Sequence, residues 1–239
     1  LKEDSSVIES VWIEVDGDAM EMWVGHPSGT ERRPGILLSH YQHGLASFTR
    51  HNIERLVSEG YVVVAPDHYH HAPSTETDLK KRKEHLLDSR LINDMRAATL
   101  FLRAHPRTIP ENTAIMGHCM GGRQALLGAA TVPGFRCALD FYGGGVMRAQ
   151  GAGPSVFERL SAIQCPVAGF FGVHDKNPPP ADVRTVEAEL KRLGVETDFH
   201  IYDDTGHAFM DPEQTRYVEA SAKDAWSRAL AFLARYLIL

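Results

Sequence analysis

Eight short apolar runs punctuate the chain: "SVWIEV" (Ser10 to Val15), "MEMWVG" (Met20 to Gly25), "GILLSH" (Gly35 to His40), "GYVVVAPD" (Gly60 to Asp67), "TAIMGH" (Thr113 to His118), "CALDFYGG" (Cys137 to Gly144), "VAGFFGVHD" (Val167 to Asp175) and "DFHIYDD" (Asp198 to Asp204). Several are continuous rather than alternating, which suits strands buried on both faces of a parallel sheet. Between the later ones lie segments of 3.6-residue period: "FTRHNIERLVSEG", "LINDMRAATLFLRAH", "RQALLGAA", "ADVRTVEAELKRLG" and a final "SAKDAWSRALAFLARYL". In the first, Phe48, Ile53 and Leu56 share a face and Gly60 follows as a C-terminal stop. In the last, Ala225, Leu230, Phe232 and Leu233 cover the sheet while Lys223, Arg228 and Arg235 reach water. Two strands followed by alternating strand and helix predict an α/β fold, a mostly parallel eight-stranded sheet with helices on both faces. No repeat or linker interrupts it, so a single domain over residues 1–239 is expected. The stretch from His68 to Leu86 fits neither period; it carries Pro73, Ser74, Thr75 and a charged run, and reads as a lid excursion over the carboxyl end of the sheet.

Composition narrows the class. With 239 residues, 43% hydrophobic and 23% charged, the chain can build one substantial core. A net charge of −6, with basic residues scattered except at "KKRK" (Lys80 to Lys83), argues against a nucleic-acid partner. No apolar run approaches the roughly 20 residues that cross a bilayer. Three cysteines, Cys119, Cys137 and Cys165, are too few for a disulfide framework and point to a reducing compartment, so a cytoplasmic location is expected; the sequence does not fix the oligomeric state, for which a monomer is slightly favoured.

The candidate chemistry is concentrated in "AIMGHCMGG", Ala114 to Gly122. A strand runs into Gly117-His118-Cys119-Met120-Gly121 and then into a helix, which is the Gly-x-nucleophile-x-Gly elbow with cysteine in the serine place. Such a turn lifts the nucleophile clear of the sheet, and the helix start favours thiolate over thiol. A thiol nucleophile needs a base, and the base an orienting acid. Asp175 stands at the end of the seventh run and His207 in the loop after the eighth, in the order nucleophile, acid, histidine. The Met120 N–H is placed to hold a tetrahedral oxyanion, and a second N–H should come from the loop after "GILLSH". Asp203 and Asp204 are alternative acids. Cys137 and Cys165, in or beside strands, read as packing residues.

At this point the chain resembles the dienelactone hydrolase family, a cysteine-nucleophile branch of the α/β-hydrolase fold. The resemblance runs through "HGLASFTR", "LVSEGYVVVAPDHYHH", "GHCMGG", "FYGGG", "GVHD" and "TGHAF". It implies Cys119 as nucleophile, His207 as base, Asp175 as its orienter, Gln42 as the second backbone oxyanion donor and Tyr142 as a pocket wall. Two positions depart from the family pattern. Tyr41 stands where the family carries a glutamate that activates the thiol, and Asp211 stands near an arginine position that binds a substrate carboxylate. The first leaves activation to other groups; the second argues for neutral rather than anionic substrates, unless "KKRK" folds over the pocket.

The expected activity is hydrolysis of a small ester or lactone through a thiol-ester intermediate, with no cofactor. Tyr41, His43, His118 and Tyr142 are the expected substrate-pocket residues. Two competing readings keep the same fold: a non-catalytic relative, because Tyr41 replaces the activating glutamate, and a metal-binding relative, because His40, His43, His68, His70, His71 and His118 follow neighbouring strands and can crowd one mouth. No compact ligand spacing accompanies them, so polar pocket walls and solvated loops are the expected roles, with no metal.

Overall fold

The computed structural model describes residues 7–238, and its sheet contains the eight anticipated strands. They are β1 (Val7–Val15), β2 (Asp18–His26), β3 (Arg33–Ser39), β4 (Val62–Pro66), β5 (Thr108–His118), β6 (Ala138–Phe141), β7 (Val167–Gly172) and β8 (Thr197–Tyr202). The helices are α1 (Ser47–Ser58), α2 (Leu79–Glu84), α3 (Asp88–Ala104), α4 (Met120–Thr131), α5 (Val156–Arg159), α6 (Pro180–Arg192) and α7 (Glu219–Tyr236). Strand order is β1-β2-β4-β3-β5-β6-β7-β8, with β2 antiparallel to both β1 and β4 and every later pairing parallel.

Continuous apolar strands are required because helices cover both faces. In β3, Leu37 packs on one side with α3 and α4, while Ile36 and Leu38 pack on the other with α1 and α7. In β4, Val62 and Val64 join the first core and Val63 and Ala65 the second. Neither strand has a solvated face, so neither shows polar alternation. Helix α1 ends as its sequence requires. Gly60 adopts φ +95°, its N–H donates to the Val57 carbonyl, and the Tyr61 N–H donates to Leu56, which together form a Schellman motif.

The chain leaves β3 for β4 on one side and later enters β5 on the other, so the order reverses between β3 and β5. Loops leaving the carboxyl ends of these two strands diverge there and open a crevice. The excursion over residues 68–86 is more ordered than its composition suggests. It contains a 3₁₀ turn (His68–His71) and α2, whose first turn is capped by Asp78 accepting from the Lys80 N–H.

The turn from β5 into α4 fits only because three positions lack a Cβ. A methyl group on Gly117 would collide with the Gly121 backbone, one on Gly121 with the Ser39 and His40 carbonyl oxygens, and one on Gly122 with the Asp140 carboxylate. Backbone cannot yield as a flexible side chain can. Gly121→Ala is therefore expected to lower unfolding free energy by more than about 2 kcal/mol. Urea unfolding followed by circular dichroism checks this; a wild-type midpoint would contradict it.

Candidate functional site

The β5–α4 turn holds Cys119 at φ +59° and ψ −124°, a conformation that disfavours any residue with a Cβ. Its N–H donates to the Phe141 carbonyl at 2.9 Å, which ties the turn to the end of β6. Cys119 is half-buried, whereas Cys137 and Cys165 are buried in the core. Burial raises the Cys137 thiol far above the ordinary thiol range and pushes Cys165 up to about 11.

His207 lies between Cys119 and Asp175. Its Nε2 is 3.0 Å from the Cys119 Sγ and its Nδ1 is 2.8 Å from Asp175 Oδ2. The other Asp175 oxygen accepts the Asn177 N–H at 2.8 Å, so the carboxylate is fixed by its own turn. Burial disfavours the charged imidazole, but the bonds to Asp175 and Cys119 outweigh it and raise the His207 pKa to about 10. Asp203 and Asp204 are exposed, and Asp204 accepts from the Ser221 hydroxyl at 2.7 Å. Besides Cys119, the non-glycine residues with positive φ among those described are Asp16 in the β1–β2 turn, Tyr142 (+44°) and Ala208 (+63°). Tyr142 and Ala208 both line the same crevice as Cys119 and His207.

Two backbone N–H groups face this arrangement by position. Met120 opens α4, so its N–H has no acceptor within the helix. The Gln42 N–H belongs to the peptide whose carbonyl is that of Tyr41. That carbonyl accepts from His40 Nδ1 at 2.7 Å and from the Gly44 N–H at 3.0 Å. Because the peptide is planar and trans, fixing its oxygen also fixes the opposite N–H direction. His40 Nε2 in turn accepts the His68 N–H, and the Gln42 carbonyl accepts from the Tyr69 hydroxyl at 2.9 Å.

The crevice has two lobes that share Cys119 and His207. The smaller, about 100 Å³, is lined by Tyr41, Phe48, Tyr142, Asp211 and Arg216 among others. The larger, about 490 Å³, carries Lys83, Arg148 and Lys176 at its rim. Arg123 also borders it, but its guanidinium is buried in a two-pronged pair with Asp88 at 2.6 and 3.0 Å. Lys83 arrives from α2 and donates to the Gln42 Oε1 at 3.1 Å, so part of the "KKRK" run does reach the pocket.

Tyr41 and Tyr142 thus line the smaller lobe, and Gln42 borders it. His43 and His118 line neither lobe. His43 is exposed at the surface, its ring tilted against Tyr41 with centroids 5.2 Å apart. His118 turns into the core, stacks at 4.4 Å on Phe141, and burial pushes its pKa down to about 3. The alternation of β5 explains this, since His118 precedes the elbow and points to the face opposite the crevice-forming turn. Nor do the histidines crowd one mouth. His68, His70 and His71 surround Asp94 instead, with ring nitrogens 3.2, 3.0 and 3.2 Å from its oxygens. Lys83 belongs to the charge run that the sequence offered as a cover for the pocket, whereas Arg148 and Lys176 had no local signal that marked them as pocket residues.

The dienelactone hydrolase family model matches residues 20–237. A Synechocystis sp. protein assigned by inference as a carboxymethylenebutenolidase is 27% identical over 216 residues, covering 86% of this chain and 87% of its own. A Bradyrhizobium sp. protein, assigned likewise as a 2-oxo-3-(5-oxofuran-2-ylidene)propanoate lactonase, is 27% identical over 95% of this chain and 94% of its own. The crystal structure of a Klebsiella pneumoniae protein assigned as a dienelactone hydrolase superposes with a TM-score of 0.89 at 24% identity, covering 98% of this chain and 100% of that one. It shares the α/β-hydrolase fold. No helix among the described residues is long and apolar enough to cross a membrane.

Two outcomes are expected from this geometry. Brief iodoacetamide exposure followed by peptide mapping should label Cys119 well before Cys137 or Cys165, because thiolate is the attacking form; equal labelling would contradict the assignment. Secondly, a raised histidine pKa stabilises the fold fully below the ordinary value of 6.5, and that contribution is lost as pH rises through about 10. The stability advantage of wild type over His207→Gln should therefore shrink across that window in urea titrations, and a constant difference would be inconsistent with it.

Proposed function

Because the chain belongs to the dienelactone hydrolase family, we propose that it hydrolyses small ester or lactone substrates with Cys119 as nucleophile, His207 as base and Asp175 as orienter. The observation that carries this reading is the unbroken contact from Asp175 through His207 to a thiol on a strained elbow. Asp175 holds the imidazole in one orientation and stabilises its charged form. The Cys119 sulfur attacks the carbonyl carbon, and the oxygen takes up the negative charge. The Met120 and Gln42 N–H groups donate to that oxygen, where charge develops only in the transition state. His207 passes its proton to the departing alkoxide, leaving the acyl group on sulfur. It then takes a proton from water, which attacks the thiol ester and expels the thiolate. For a lactone the alkoxide stays attached, and the product is a single hydroxy acid. The sequence chemistry asks for no cofactor.

Substrate charge is where the fold changes the expectation raised by Asp211. That residue borders the smaller lobe together with Arg216, while three cations gather around the larger lobe. Lys83, Arg148 and Lys176 come from α2, the β6–α5 loop and the acid loop, so no local sequence window unites them. We infer an anionic substituent seated in the larger lobe, as the propanoate named for the Bradyrhizobium relative would require.

The test compares kcat/KM for a neutral ester and its carboxylated analogue. Cys119→Ala should lower both by at least about a thousandfold, and an unaffected variant would overturn the nucleophile assignment. The carboxylated substrate should be preferred by wild type, and that preference should fall about tenfold, or 1.4 kcal/mol, in the Arg148→Gln/Lys176→Gln variant. A wild-type preference for the neutral ester would overturn the charge inference while leaving the triad reading intact.

A further inference from the structure

The three histidines gathered around Asp94 are not idle packing. Asp94, on α3, is a fully buried carboxylate, and both of its oxygens are taken by imidazoles from the turn after β4. His70 Nε2 and His71 Nε2 approach the same oxygen at 3.0 and 3.2 Å, with the two rings 3.7 Å apart. A carboxylate accepts, so each Nε2 donates to Asp94 and Nδ1 is the ring nitrogen left for another partner. The two side chains are only 3% and 4% exposed. His71 Nδ1 then faces a second carboxylate, Asp18 Oδ2, at 3.3 Å. That spacing leaves room for one cation ligated by both the ring nitrogen and the carboxylate oxygen. His70 Nδ1 is buried with no hydrogen-bond partner among the described residues. One ligand atom from each of Asp18, His70 and His71 lies within 4.8 Å of the other two.

We propose that Asp18, His70 and His71 form a binding site for a divalent transition-metal ion such as zinc, with Asp94 as the outer carboxylate that orients both imidazoles. Tetrahedral ligands at about 2.0–2.1 Å from a metal stand roughly 3.3 Å apart, which is the spacing already present between His71 Nδ1 and Asp18 Oδ2. Metal-bound histidines characteristically donate their other N–H to a carboxylate, and Asp94 accepts from both. Two nitrogens and one oxygen leave the fourth position to water. A second group of similar residue types, Glu9, His26 and His105, lacks this support; His26 Nδ1 is satisfied by the Pro27 carbonyl and His105 Nδ1 by the Arg107 N–H.

The site is removed from the reacting sulfur, and its role is to brace. An ion there would tie the start of β2 to the turn after β4. That turn supplies the His68 N–H to His40, which in turn holds the Tyr41 carbonyl. Occupancy would therefore stiffen the support of the Gln42 N–H without entering the chemistry.

The experiment is a cobalt(II) titration of the chelator-treated full chain, read by visible absorption, with zinc as competitor. The expected result is one equivalent bound with the bands of a four-coordinate site, displaced by zinc, and a thermal midpoint raised by zinc. Asp18→Ala, whose side chain is 57% exposed in the hairpin, should fold normally and weaken binding by tenfold or more. His71→Gln should do the same. No stoichiometric binding would overturn the proposal. Binding unchanged in Asp18→Ala would place the ion elsewhere, on the Cys119–His207 pair for example, and overturn it. Loss in His26→Gln alone would likewise reject it in favour of the Glu9 group.

Discussion

The geometry of the crevice hangs on the backbone of Cys119. A non-glycine residue at φ +59° and ψ −124° persists only where its surroundings over-determine it. Here the determinants are the parallel strands β3 and β5, the helix α4 that begins at Met120, and three glycines whose missing side chains let α4 press against the strand ends. The strain is the means by which the thiol is lifted from the sheet at the start of α4.

The same device recurs around the crevice. Tyr142, after β6, and Ala208, after His207, also have positive φ, so three loops from three strand ends carry strained residues toward one space. A fourth loop, after β3, is held by side chains instead. His40 and Tyr69 clamp the carbonyls on either side of the Gln42 N–H. The dependence runs one way: the sheet can form without the thiol, whereas the thiol has no defined environment without the sheet's strand ends. Electrostatics adds a second layer. Arg123 is neutralised by Asp88 beneath the pocket, and Lys83, Arg148 and Lys176, unpaired among the described residues, carry positive charge at its rim.

Much of this was legible in the sequence because it is local. Buried parallel strands announce themselves as continuous apolar runs, and the elbow is a single pentapeptide whose glycines have steric reasons. The acid and the histidine are legible because strand-end position is shared by order along the chain. What escaped was set by contacts between distant segments. His118 reads as a pocket residue beside Cys119, yet the strand's alternation sends it into the core. The cations of the larger lobe come from three separate elements, so the neighbours of His207 in sequence could not bring them together. Helix α5 carried a sequence signal that the apolar pattern missed: Ser155 and Glu158 form a capping box over a helix too short to show a period. The arrangement of His70, His71, Asp18 and Asp94 depends on three elements meeting, and no spacing rule links them.

The central claim is that the acyl group passes through the Cys119 sulfur, and it is tested most directly by catching it there. Wild-type protein mixed with an activated aryl ester and quenched in acid during turnover should yield a peptide containing Cys119 that is heavier by the acyl group. Neutral hydroxylamine, which cleaves thiol esters, should remove the added mass. Turnover with the acyl group on another residue, or with no adduct on the Cys119 peptide at any quench time, would contradict the account.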